Sequence, residues 1–212
     1  MTFSPEIAPA FASDRGRLLA GGLFVVLGMS PITALALSLI EVVPLYYGAS
    51  FGVLPLLLVA GGVGVRVPSV GRAAVQGGLI GLLAVFFYDC TRVSALLLGG
   101  WPDFIPTIAT HLWPGAEPNW MVGYAWRYLG NGGGMGLAFT VAYRMAAPRE
   151  NVYPLALGYG VAIWGCLLAT LFLMPDEAML FELTPLTLVV SLLGHVVYGG
   201  SLALGLRAAG AA

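Results

Sequence analysis

Several ionisable and amide side chains, which could bind a ligand or transfer a proton, lie within strongly apolar stretches of the sequence. Ionisable and amide groups inside a membrane are costly and usually face the interior of a helix bundle. Each is therefore a candidate for binding or for holding helices together, although no motif assigns any of them to catalysis. We predict that they form one polar cluster, which consists of Tyr88, Asp89, Arg92, Arg127, Asn131 and His195.

The spacing of the charged members predicts how they pair. Asp89 and Arg92 are three residues apart, which places them on one face of a helix. Asp89 and Arg127 reach a similar depth when residues are counted inward from the ends of their helices at about 1.5 Å each. We expect an ion pair between these two, with Arg92 near the surface. The pair is either a structural clamp or, because arginines outnumber acids by one, part of a site for a carboxylate or phosphate.

A glycine run surrounds Asn131, since residues 130–136 read Gly-Asn-Gly-Gly-Gly-Met-Gly. Small residues four apart, such as Gly132 and Gly136, let helix backbones approach closely, which predicts tight packing. The alternative is a locally unwound helix that exposes its amides and carbonyls to a ligand. The run lacks the Lys-Ser/Thr ending and the preceding strand of a phosphate-binding loop.

His195 is expected about eleven residues inside its helix, close to the depth of Asn131. Three interpretations remain open: a structural hydrogen bond to Asn131, Tyr198 or a backbone carbonyl, contact with a proton or ligand, or a metal or haem ligand. The only other histidine, His111, lies in a loop, and two histidines without clustered acids or cysteines fall short of zinc spacing. We predict no metal site, and no motif indicates a cofactor.

A long loop over residues 99–120 is rich in tryptophan and proline. Tryptophan is enriched at the membrane interface, so we expect a short helix over 105–113 that acts as an aromatic anchor or as a lid over a site. An acid and a histidine in this loop, above the charged pair, would suit acid–base chemistry on a lipid headgroup. The candidate residues of the loop are Trp101, Asp103, His111, Trp113 and Trp120.

The composition of the chain indicates that membrane-spanning helices hold the candidate residues. The 212 residues are 59% hydrophobic and 9% charged, whereas a soluble domain has about 25% charged residues. Most of the surface must therefore face lipid. We predict an all-α, polytopic membrane helix bundle with about six spans of roughly 20 residues. The spans are expected near 18–41, 44–65, 74–98, 121–145, 152–174 and 184–206, in one transmembrane domain over 18–207 with tails at 1–17 and 208–212.

Orientation follows from the arginines. Seven of the nine lie at one end of the predicted bundle, and the acidic connections lie at the other. Because positive loops stay in the cytoplasm, we expect both termini there, in a plasma membrane of the bacterial type. The two cysteines fall inside apolar segments, which does not indicate a disulfide framework.

No motif names a reaction. The preferred hypothesis is a non-catalytic membrane protein that is a subunit of a larger complex or binds a lipid or small molecule at an outward-facing polar site. Its expected partners are membrane lipids and other membrane protein subunits; nucleic acid is excluded because the arginines are scattered singly. A small transporter or permease component, with a site between the third, fourth and sixth spans, is the alternative. A membrane enzyme acting on lipid-borne substrates is the second alternative.

Overall fold

The structure is a computed structural model that describes residues 14–97, 101–146, 151–174 and 183–210. The predicted tails therefore lie mostly outside the described residues, as do Arg149 and the acidic connection that contains Asp176, Glu177 and Glu182. Within the described ranges the chain is helical and contains no strand.

In the described part of the chain, seven helices carry the fold. Five of them, α1, α2, α3, α6 and α7, are long and apolar enough to cross a membrane. The chain is therefore a helical protein suited to a bilayer. The helices are α1 (Arg15–Leu39), α2 (Leu45–Arg66), α3 (Pro68–Leu97), the short α4 (Ile108–Leu112), α5 (residues 120–146), α6 (Val152–Leu173) and α7 (Pro185–Ala208).

Helix α5 changes its winding along its length. It begins with the α-helical Trp120–Ala125, widens into a π-helix over Trp126–Gly132, and returns to an α-helix over Gly133–Ala146. The side chain of Asn119 caps its first turn by accepting a hydrogen bond from the amide of Val122 at 3.1 Å. π-Helical turns inside α-helices are rare and frequently occur at functional sites.

The centre of the bundle is formed by α3, α5 and α7, with α1 against the other side of α5. Glycines bring the backbones together: a Cβ at Gly81 of α3 would collide with the carbonyl of Gly132 and with Gly136 of α5. A Cβ at Gly28 of α1 would collide with the carbonyl of Gly134. The predicted small-residue packing is therefore confirmed. The unwound alternative is wrong, because the glycine run stays helical throughout.

Helix α2 lies at the edge of the bundle, and only 6% of its apolar stretch is buried. We call the end of the bundle that carries residues 101–119 the loop end, and the opposite end the arginine end. Helices α1, α3 and α6 finish at the loop end, where α5 and α7 begin. This arrangement brings the C-terminal part of α3 beside the N-terminal part of α5, where the candidate residues lie.

Candidate functional site

Asp89 of α3 and Arg127 of α5 form a buried ion pair. The guanidinium donates from Nη2 to Oδ1 at 2.5 Å, and from Nε to Oδ1 and Oδ2 at 3.0 and 3.1 Å. Arg127 also lies over the ring of Tyr88, 4.8 Å from its centroid, which adds a cation–π contact. The predicted ion pair between the two helices is thus confirmed.

Arg92 is not near the surface, and that expectation is wrong. Its side chain is 1% exposed because the loop folds back over the end of α3. Its Nε donates to Asp89 Oδ1 at 3.3 Å, its Nη1 to Asp103 Oδ1 at 3.2 Å, and its Nη2 to the hydroxyl of Tyr124 at 2.6 Å. With Asp103 included, two carboxylates face two guanidiniums. The expected excess of one arginine, which would favour an anion, is therefore absent from this cluster.

The loop both covers the bundle and presents aromatic side chains outward. Trp101, Ile105 and Ile108 are buried, whereas Trp113 and Trp120 are exposed by 76% and 67%. The part of the loop that includes α4 therefore closes the loop end, where the sequence predicts that a site opens. The two exposed tryptophans have the placement expected of interfacial anchors.

Asp103 and His111 contact different partners, and the acid–base hypothesis for this pair stays a prediction. Asp103 bonds Arg92 and Tyr124, whereas Nδ1 of His111 lies 3.4 Å from Oγ of Ser38 on α1. Burial lowers the pKa of His111 below its usual value, because a less hydrated site disfavours the imidazolium. His111 therefore belongs to the contact between the loop and α1.

A cavity of about 230 Å³ lies beneath the loop, between α1, α3, α5, α6 and α7. Most of its lining is apolar. The cluster predicted as one set is therefore divided: Asp89 and Arg92 do not line the cavity, whereas four other members do. These members are Tyr88, Arg127, Asn131 and His195, which Tyr198 joins.

Asn131 contributes a buried polar side chain to this wall. It is 7% exposed, and among the described residues its Oδ1 has no hydrogen-bond partner. Tyr198 of α7 reaches the same region, but its hydroxyl donates to the carbonyl of Gly132 at 2.8 Å. The amide oxygen therefore sits on a cavity wall without the bond that a buried acceptor normally has.

His195 is oriented by its own helix. Its Nδ1–H donates to the carbonyl of Ser191 at 2.7 Å, and its ring meets that of Tyr88 edge-on with 5.0 Å between centroids. Of the predicted hydrogen bonds, the one to a backbone carbonyl is confirmed. In the neutral ring this bond leaves Nε2 as an acceptor. Among the residues that the structure describes, no group of three histidines, cysteines or acids could hold a metal.

Several residues of the site could not be found by searching for charge. Tyr124 accepts a hydrogen bond from Arg92. Its position three residues before Arg127 is the sequence signal that could have placed it on the same face of the helix. The α1 and α6 walls of the cavity include Thr33, Ala36 and Cys166. These are ordinary residues of apolar helices, and only contact with a cavity distinguishes them.

No family model, curated protein or solved structure matches the chain. The functional argument therefore rests on the geometry of the charged cluster and the cavity.

Proposed function

We propose that the chain crosses the bilayer six times with both termini in the cytoplasm, in a bacterial-type plasma membrane. The additional span is α5, whose three consecutive helical segments are together long enough for about 30 Å of hydrocarbon. Support for the orientation comes from Arg15, Arg66, Arg144 and Arg207, which all fall at the arginine end and obey the positive-inside rule.

We further propose a non-catalytic membrane protein that binds a small molecule or lipid in the cavity beneath the loop. The observation that carries this function is the buried Asn131 Oδ1, which lies on the wall of a cavity of about 230 Å³ and has no hydrogen-bond partner among the described residues. A buried polar group without a hydrogen bond destabilises the protein by about 1–3 kcal/mol. A ligand that bonds this atom removes the penalty, so the bound state is favoured.

A non-catalytic role is supported by the way the charges are used. Asp89 and Asp103 both bind arginines, so neither is poised to accept a proton from a substrate. His195 bonds a backbone carbonyl rather than a carboxylate, which is not the oriented base of a nucleophilic site. Association with other membrane subunits or lipids is supported by the exposed apolar surface of α2.

Native mass spectrometry of the protein released from lipid nanodiscs tests this function. We expect a copurifying small molecule or lipid on the parent chain and its loss from Ala36→Phe, which fills the cavity. Ala162→Phe is the matched control, because Ala162 is an exposed residue of α6 and is not part of the cavity wall. Equal occupancy of parent and Ala36→Phe, or no bound molecule on either, would overturn the proposed function.

A further inference from the structure

The cavity has an opening on its side. Thr33 of α1 and Cys166 of α6 both line the cavity and are both exposed, which favours a path from the cavity to the surface between these helices. Nearer the arginine end, the Tyr159 hydroxyl lies 3.3 Å from Met29 Sδ and bridges α6 to α1. At the loop end, the buried Ile105 and Ile108 close the roof. The opening therefore faces the bilayer between the two helices.

The charge on the wall is already neutralised. Among the described residues that line the cavity, Arg127 is the charged one, and its Nε and Nη2 are bonded to Asp89. Transfer of an ion into such an apolar space is strongly unfavourable unless a counter-charge receives it. The wall thus favours a ligand without net charge.

The volume sets the size of the part that fits inside. An apolar cavity of about 150 Å³ holds benzene, and this one measures about 230 Å³. By proportion, about nine heavy atoms fill it. A ring system of that size, or the head of a longer molecule whose tail leaves through the opening, meets this limit.

The polar groups of the wall favour a hydrogen-bond donor on the ligand. Asn131 offers its Oδ1, which has no partner in the described part of the chain. His195 offers Nε2, because its Nδ1–H is committed to Ser191. The hydroxyl hydrogen of Tyr198, which also lines the cavity, is committed to the backbone carbonyl of Gly132. Asn131 Oδ1 and His195 Nε2 are therefore two acceptors that a donor on the ligand can bond.

We infer that the ligand is an uncharged, membrane-dissolved molecule whose compact polar head donates a hydrogen bond to Oδ1 of Asn131. It enters from the bilayer between α1 and α6 rather than through the loop. This inference rests on the proposed function and adds the class of ligand and its route.

Two probes of matched size and shape, and a larger charged one, test the ligand class in nanodiscs. Indole has about nine heavy atoms, which matches the limit above, and one N–H donor; indene has the same size without the donor; indole-3-carboxylate adds a negative charge. We expect tritiated indole to bind, indene to compete about tenfold more weakly because the acceptors stay unpaired, and the carboxylate not to compete. Competition by indene as strong as that by indole, or stronger competition by the carboxylate, would overturn the ligand class.

The variant Asn131→Leu tests the same hydrogen bond by removing the acceptor from the protein. We expect indole binding to fall about tenfold in this variant, with the difference between indole and indene largely lost. An unchanged preference for indole over indene in Asn131→Leu would contradict the assigned contact. The comparison on the parent chain needs no variant, so it stands even if Asn131→Leu alters folding.

A reversible bridge across the opening tests the route. In a Thr33→Cys, Cys90→Ala chain, a bifunctional methanethiosulfonate can join position 33 to Cys166 after indole has been loaded. We expect bridged protein to retain indole through gel filtration and to release it after reduction. Protein treated with a monofunctional methanethiosulfonate, which caps both thiols without a bridge, is the control. Equal loss of indole from bridged and capped protein would exclude the route between α1 and α6.

These outcomes separate the inference from the proposed function. A molecule that copurifies with the parent but not with Ala36→Phe, together with failure of all three probes, leaves cavity binding in place and rejects this ligand class. Absence of any copurifying molecule rejects the function itself. Indole binding that Ala36→Phe leaves unchanged places the probe outside the cavity and rejects the inference.

Discussion

Two neighbouring regions of the bundle, which meet at α5, differ in how their polar groups are bonded. At the loop end, Asp89, Arg92, Asp103 and Arg127 are joined by ion pairs in which every charge has a partner. One turn further into the bundle, the Oδ1 of Asn131 is buried in the described structure without one. A matched set of charges holds helices and loop together, whereas an unmatched acceptor on a cavity wall is suited to a ligand.

Arg127 belongs to both regions, since it bonds Asp89 and also lines the cavity. It is four residues from Asn131, so the two side chains share a face of α5 near its π-helical turn. The division between structural and binding regions therefore runs through one helix, and substitutions on either side of it should differ in the sign of their effect on stability.

The largest effect is expected when the charged cluster is broken. Asp89→Asn or Arg127→Leu leaves a buried charge without its main partner, and loss of one member of a buried pair lowers the free energy of unfolding by about 3–5 kcal/mol. The measurement is the yield of monodisperse protein after gel filtration in detergent, together with the thermal unfolding midpoint. Asp14→Asn is the matched control, because Asp14 is exposed and an asparagine retains the N-cap of α1.

The double variant distinguishes a clamp from a binding group. Asp89→Asn with Arg127→Leu removes both charges and leaves Arg92 paired with Asp103, so we expect it to recover most of the yield lost by either single variant. Wild-type stability in both single variants would mean that this cluster does not hold α3 against α5, and the comparison would fail.

A smaller loss is expected when α3 and α5 are pushed apart. Gly81→Ala places a methyl group against the backbone of Gly132 and Gly136, and overpacking of this kind costs about 1–3 kcal/mol. Gly78→Ala is the control on the same helix, since its nearest neighbour is the carbonyl of Gly133 at 3.9 Å. We expect Gly78→Ala to be neutral or slightly stabilising in thermal unfolding. Equal effects of the two would contradict a close backbone contact at Gly81.

The contacts that depend on helical spacing and on depth within the helices could be predicted from the sequence. Asp89 and Arg127 could be paired because both lie a known number of residues from a helix end, and the Gly132–Gly136 spacing fixed a packing face. Arg92 was misplaced because its burial depends on Asp103, which a loop of irregular conformation carries back over α3. No helical period predicts the path of such a loop.

The cavity could not be predicted for a different reason. Its walls come from five helices, and residues such as Ala36 and Cys166 are typical of any apolar helix. A cavity forms where the surfaces of neighbouring helices do not pack against each other. Its position therefore depends on the relative placement of the helices and not on the type of any one residue. Asn131 could be identified as a candidate because amide side chains are rare within membranes. The sequence did not indicate that its Oδ1 would lack a hydrogen-bond partner among the described residues.

Asn131→Leu is expected to change stability in the opposite direction to the charge variants. Leucine has a similar size and no unsatisfied oxygen, so the free energy of unfolding should rise by about 1 kcal/mol in the absence of ligand. Asn119→Leu is the matched control: its side chain caps α5, and loss of an N-cap lowers stability by about 1 kcal/mol. Thermal unfolding of both variants checks the signs. A destabilised Asn131→Leu would mean that the amide serves the fold.

The smallest effect concerns the attachment of the loop to α1. Because burial lowers the pKa of His111 in the folded protein, the unfolded chain binds the proton more readily, and this residue's contribution to stability falls as the pH drops below about 6.5. His111→Gln cannot take up the proton, so its unfolding midpoint should decrease less than that of the parent between pH 7 and pH 5. Both chains share Asp89, Asp103 and His195, so the difference between them isolates His111. An identical decrease in both would mean that protonation of His111 does not weaken the contact with Ser38, and that the loop is held mainly by Asp103 and the buried Ile105 and Ile108.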